Sequence, residues 1–136
     1  MEDIKIVELV TQEITEPRDD GTPGSALYAI PFKLNRTPSE LWRQIFLQVW
    51  DSPPSFSLMH RPGIARIVGD RIILDGATIE EVESTHKGTL ELCVSEANRI
   101  AAAELRKRKA KEEAEREKSA SFRKDIEEKA RDIKFD

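Results

Sequence analysis

Ala65-Arg66-Ile67-Val68-Gly69-Asp70-Arg71-Ile72-Ile73-Leu74-Asp75-Gly76-Ala77-Thr78-Ile79-Glu80-Glu81 is the stretch that decides the fold. Two β-branched runs, 65–68 and 71–74, flank Gly69-Asp70, a loop whose glycine supplies the positive φ that a tight hairpin demands. The pattern then changes period. Thr78-Ile79-Glu80-Glu81 is a Ser/Thr-x-x-Glu box, in which the threonine hydroxyl caps a helix and the glutamate reaches back to the cap. Ala77 and Val82 are placed as a hydrophobic staple across it. A hairpin that feeds a helix is a building unit of α+β folds.

Downstream, Ile79, Val82, His86, Leu90, Cys93, Ala97 and Ile100 step by three or four and form one continuous face. Gly88 lies inside this run and is expected to hinge or break the helix around 86–89. From Ile100 to Lys118 strong helix formers dominate, so the helix is predicted to run past the domain into solvent. Unbroken from 78 to 118, it would span roughly 60 Å. Ser119-Ala120-Ser121 is expected to interrupt it, with a frayed or disordered end beyond.

Upstream, a second box occurs at Thr37-Pro38-Ser39-Glu40: a hydroxyl at the N-cap, proline at the first helical position and a carboxylate at N3. Leu41, Trp42, Ile45, Phe46 and Val49 follow at helical spacing, and Pro53 stops the helix near Trp50-Asp51. Earlier still, the β-branched run Ile4–Val10 predicts a strand over about 3 to 14. Ala26, Tyr28, Ile30, Phe32 and Leu34 alternate as the face of a second strand, 26–34. The Pro17–Gly24 loop joins the two into a hairpin. Pro31 lacks an N–H and directs that strand to a sheet edge or a bulge. The pattern also admits a short strand over Phe56–Met59.

The order β-β-α-β-β-α predicts an α+β two-layer sandwich. An antiparallel sheet carries two helices on one face and a long C-terminal helical extension, and its other face is wet or used for binding. Charge and hydropathy divide the chain unevenly. Residues 1–98 hold 9 Lys+Arg and 16 Asp+Glu, net −7; residues 99–136 hold 13 and 10, net +3. Beyond Leu105 the only large apolar residues are Phe122, Ile126, Ile133 and Phe135, too few to offset the ordering entropy with a core. The expected organisation is therefore a globular domain over 1–105 and a charged helical extension over 106–136, partly disordered toward its end.

Several classes of protein drop out. No run approaches the roughly 18–20 apolar residues of a membrane helix, so no membrane partner is expected. Met1-Glu2-Asp3 lacks the basic-then-apolar pattern of a secretory signal. The single Cys93 excludes an internal disulfide framework and fits a reducing cytoplasm.

Chemistry-bearing residues are sparse. Cys93 falls on the apolar helix face beside Glu91 and Glu96, the opposite of the electropositive setting that activates a thiolate. His60 and His86 are the only histidines and have no metal-ligand spacing, so neither metal nor cofactor is expected. The glycines never approach a phosphate-loop spacing. Asp75-Gly76 precedes a helix that could present N–H groups to an anion, yet Glu80, Glu81 and Glu83 already supply negative charge there.

The most distinctive stretch is Trp50–Gly63, a proline-stiffened connection that concentrates the residue types of binding hot spots. Trp50, Phe56, His60 and Arg61 are the candidate partner-binding residues, against the plainer reading that the large apolar side chains pack beneath the sheet. A second candidate is the basic cluster Arg106, Lys107, Arg108, Lys109 and Lys111, which could touch nucleic-acid phosphates. Pairs such as Arg108–Glu112 and Lys109–Glu113 would instead make it a salt-bridged solvent face. Weak self-association through the C-terminal helix is a third option, although Ala110 and Ala114 are too small to drive strong pairing. An enzyme built from His60 and Arg61 with Asp70 or Asp75 requires those groups to converge in a pocket. The leading expectation is a non-enzymatic, cytoplasmic protein-interaction module, with a nucleic-acid accessory role as its alternative.

Overall fold

The computed structural model describes residues 3–55 and 57–135. Phe56 lies outside them. The chain divides into two compact units, residues 1–101 and 102–136.

In the first unit the strands β1 (Ile6–Leu9), β2 (Tyr28–Leu34), β3 (Ala65–Val68) and β4 (Arg71–Ala77) form one sheet in the order β1-β2-β4-β3. Every pairing is antiparallel, and with the helices this makes an α+β fold. Because β4 lies between them, β2 and β3 run parallel, and helix α1 (Glu40–Asp51) makes the long crossover that parallel strands need. The 65–74 hairpin has the expected register, Val68 opposite Arg71, with Gly69 at φ +59°. Positive φ at the first loop residue but not at Asp70 is the type II′ geometry, which matches the twist of the strands.

Strand β2 corrects an expectation. It is an interior strand, and Pro31 sits within it opposite Ile73. Odd-numbered residues of β2 bond toward the β1 side: the Pro31 carbonyl accepts from Val10 N–H at 3.0 Å, and Ala29 exchanges bonds with Thr15. Even-numbered Leu34 bonds toward β4 through Asp70. The missing Pro31 donor thus falls on the β1 side, beyond the end of that ladder, and removes no bond to β4. The first strand is shorter than the predicted 3–14. It carries a bulge between Ile6 and Glu8, and a 3-10 turn at Thr11–Glu13 carries the chain from Val10 to Thr15. No strand occurs at the described residues of 56–59, where Leu58 and Met59 form a turn.

Helix α1 is capped by Ser39, whose hydroxyl accepts from Trp42 N–H at 3.2 Å, instead of by Thr37. Pro38 therefore precedes the cap instead of opening the helix. Its buried stripe is Trp42, Phe46, Val49 and Trp50, with Trp42 and Phe46 stacked at 5.2 Å. Helix α2 (Ile79–Glu81) carries the predicted box in full: Thr78 Oγ1 accepts from Glu81 N–H, and the Glu81 carboxylate accepts from Thr78 N–H. A π-turn over Val82–His86 follows, and α3 (Lys87–Arg131) continues from it. The break expected around 86–89 is absent, since the helix continues through Gly88; the irregularity is instead the π-turn that ends at His86. Val82, His86 and Leu90 are spaced by four twice over, which drifts off a 3.6-residue helix, and one wider turn restores the phase.

The core of the first unit joins Ile30, Phe32, Leu34, Ile67, Ile72 and Leu74 from alternate strand positions to Trp42, Phe46 and Trp50 of α1 and Leu90, Cys93 and Ala97 of α3. Asn98 ties its margins together. Its carboxamide accepts from Ile4 N–H and Trp42 Nε1–H at 3.0 and 2.8 Å and donates to Ile4 C=O at 2.9 Å. The second unit is helical to Arg131, without the break expected at 119–121, and its described residues are exposed apart from Ala102 and Glu104, which are partly so. Serine and alanine cost a helix only a few tenths of a kcal/mol, too little to stop one already formed. No helix of the described residues is long and apolar enough to cross a membrane.

Candidate interaction site

The 50–63 connection has no regular structure over most of its length, yet it is fixed at both ends. Trp50, closing α1, is completely buried, and its Nε1–H donates to Arg61 C=O at 3.0 Å. His60 is buried at 9% exposure, bonded through Nε2 to Trp50 C=O at 2.7 Å and tilted against the Trp50 ring at 4.5 Å. Arg61 reaches out of the loop. One guanidinium nitrogen donates to Gly76 C=O at 2.8 Å and another pairs with Glu81 at 2.7 Å. Asp51 accepts from Gly63 N–H at 2.8 Å and closes the loop.

Glu81 is the residue that makes this clasp exact in charge. One oxygen completes the Thr78 cap and the other meets Arg61, on a side chain only 14% exposed. Arg61 is itself 36% exposed, so salt screens this pair less than a fully exposed one but does not leave it untouched. The Trp50 and His60 rings therefore lie inside the protein and hold the connection in place. Among its described residues, the large side chains the connection offers at its surface are Leu58, fully exposed, Met59, more than half exposed, and the edge of Arg61. Phe56, the fourth residue singled out from sequence, lies outside the described residues.

Of the groups an enzyme reading would require, Asp70 pairs with Arg71 at 2.6 Å, Asp75 with Arg66 at 3.8 Å, and Arg61 with Glu81 at 2.7 Å. Cys93 is buried, its Sγ faces Val49 C=O at 3.8 Å, and burial pushes the thiol up to about 11. His86 is completely buried, with neither ring nitrogen hydrogen-bonded among the described residues. Burial holds its imidazole below the ordinary 6.5; Glu81 works against that lowering, while His60 and Arg61 add to it. Among the described residues no group of three or more His, Cys, Asp or Glu is disposed to hold a metal ion.

Two surfaces lie elsewhere. A groove of about 510 Å³ runs between edge strand β1 and the start of α3, lined by Ile6, Leu9, Phe32, Val82, Leu90 and Val94 with Lys5, Glu8, Lys87 and Glu91 among its polar residues. In the second unit the residues of the basic cluster, Arg106, Lys107, Arg108, Lys109 and Lys111, are all exposed. Their pairing differs from expectation: Arg108 pairs backward with Glu104 at 3.1 Å, Glu112 pairs with Arg116, and the other four cations are in no ion pair among the described residues. Phe122, Ile126, Ile133 and Phe135 are exposed as well.

Sequence reasoning missed Glu81 as the partner of Arg61, Asn98 as a hub, and the β1–α3 groove. Asn98 left one trace, a lone amide among Val94, Ala97, Ile100 and Ala101. The Arg61–Glu81 pair left none, because nothing local couples residues twenty positions apart. Comparison of the chain with protein-family models, curated proteins and solved structures finds no match.

Proposed function

We propose that this chain is a non-enzymatic protein-interaction module that meets its partner through the 50–63 connection. The observation that supports it is a pair of displayed apolar side chains, Leu58 and Met59, on a loop tied at both ends by Trp50, His60, Arg61 and Asp51. An apolar contact on a pre-ordered loop loses little conformational entropy on binding, which is what distinguishes a hot spot from an exposed leucine. In this reading Arg61 and Phe56 complete the contact, and Trp50 and His60 position it. The architecture we propose is the two-layer form with both helices on one sheet face, supported by the alternate strand residues that share a core with α1 and α3. A cytoplasmic location accords with the single buried thiol. The raised Cys93 pKa weighs against a nucleophilic enzyme.

The test uses the full chain as bait. Partners captured by the wild type are expected to be lost from a Leu58→Ser/Met59→Ser variant whose melting temperature is unchanged. Retention of every partner by that variant, by Arg61→Ala and by a chain truncated after residue 105 would overturn the proposal.

A second reading has its own support: four of the five basic residues in 106–111 carry no ion pair among the described residues, leaving their charge available to phosphates. It predicts DNA or RNA binding that weakens steeply with salt and disappears when Arg106, Lys107, Lys109 and Lys111 are replaced by glutamine. The acidic first 98 residues weigh against it.

A further inference from the structure

Among the described residues, His86 combines complete burial with two ring nitrogens that lack any hydrogen-bond partner. It closes the π-turn, and its ring lies tilted against Trp50 at 5.8 Å, on the same indole that His60 meets at 4.5 Å. The charged and titratable groups that face it are His60 and Arg61 from the connection and Glu81 from α2. Cys93 stands two turns further along its own helix face, a neutral thiol.

A neutral imidazole can occupy such a place as a flat, mostly apolar ring. An imidazolium cannot: it needs acceptors for two N–H groups, or a free counter-charge, once it has left water. Glu81, the carboxylate whose charge acts on His86, is already engaged by Arg61 and by the Thr78 cap. The π-turn that carries His86 is also a locally wide piece of helix, a departure from regular geometry that is frequent at functional sites.

We propose that His86 makes this junction an acid-sensitive latch. On protonation the ring leaves the core, the 82–86 turn opens, and the 50–63 connection, held through Trp50, is released from its clasp. The inference goes beyond the interaction reading and needs no partner, so either can fail alone.

The direction follows from linkage. The opened junction accepts a proton at the ordinary imidazole value of 6.5, whereas the closed junction resists it. The closed form is therefore unaffected by pH well above 6.5 and loses stability as pH falls below it, until the lowered closed-state value is passed. Within that window the open fraction grows by up to about tenfold per pH unit.

Amide hydrogen exchange on the full chain, corrected for intrinsic rates, tests this at about pH 7.5 and about pH 5. Protection at 50–63 and 79–90 is expected to fall by about tenfold between the two, while β2 and β4 keep theirs. In His86→Phe the fall should vanish. The same protection at both pH values, an equal loss in β2 and β4, or a response that survives His86→Phe overturns the latch. Should that variant not fold, the wild-type ring protons of His86 decide. Closed-state signals that hold still through the ordinary imidazole range support the proposal, and a normal titration with the closed state intact refutes it.

Discussion

The 50–63 connection and the helix of residues 102–131 invert the usual association of regularity with fixed structure. The connection is turns and bends, yet its atoms are held by bonds to residues far along the chain: Trp50 to Arg61, Arg61 to Gly76 and Glu81, Gly63 to Asp51. The helix is regular throughout, yet among the described residues its side-chain pairs are local, Arg108 to Glu104 and Arg116 to Glu112. One region draws its order from tertiary packing and the other from propensity summed over many residues. A single substitution should therefore be felt strongly in the first and weakly in the second.

The largest difference is expected between two aromatic truncations. Trp50→Ala removes a completely buried indole and its bond to Arg61, and should cost about 3–5 kcal/mol in a denaturant titration. Phe122→Ala, at an exposed position, should stay within about 0.5 kcal/mol. A cost above about 2 kcal/mol for Phe122→Ala would mean that its ring is covered in solution, and the contrast between the regions would be lost.

This contrast also marks where sequence was readable. The Gly69-Asp70 hairpin, the Thr78–Glu81 box and the apolar helix stripes each depend on residues a few positions apart, so local chemistry is enough to decide them. Pro31 misled because a proline's place in a sheet depends on which neighbour its missing donor faces, and that neighbour is twenty-one residues away at Val10. Thr37 misled because Ser39 offers the same hydroxyl two residues later, and packing of Trp42 and Phe46 chooses between them. Of the candidate site, the residue types were legible but not their direction. Trp50 and His60 carry the composition of a contact surface but lie buried and tie down the connection, because whether an aromatic is displayed or buried is set by what the sheet leaves room for.

A middle-sized effect is expected at the clasp itself. Arg61→Met keeps most of the side-chain stem and deletes both the Gly76 bond and the Glu81 pair. It should cost about 1–3 kcal/mol, since Glu81 is left sheltered with one partner fewer. Arg61→Met/Glu81→Gln should cost less than the two single changes added together, because the buried charge disappears with its partner. Additive costs would show that Arg61 and Glu81 act independently and that the connection does not depend on their pairing.

The smallest effect belongs to the helix. Arg108 pairs with Glu104 one turn before it, glutamate on the N-terminal side, which is the favourable orientation for an i,i+4 pair. Both side chains are more than a third exposed, so the pair should contribute only about 0.3–0.5 kcal/mol, and less in salt. Arg108→Gln is expected to lower helical ellipticity slightly at low salt, and the difference should disappear at about 1 M salt, where the Debye length is about 3 Å. Lys107→Gln, which breaks no ion pair of the described residues, should leave ellipticity unchanged under both conditions. If Lys107→Gln lowers ellipticity as much as Arg108→Gln, the helix is stabilised by its general charge distribution instead of by discrete pairs. Its cations would then be less free for an outside anion than their geometry implies.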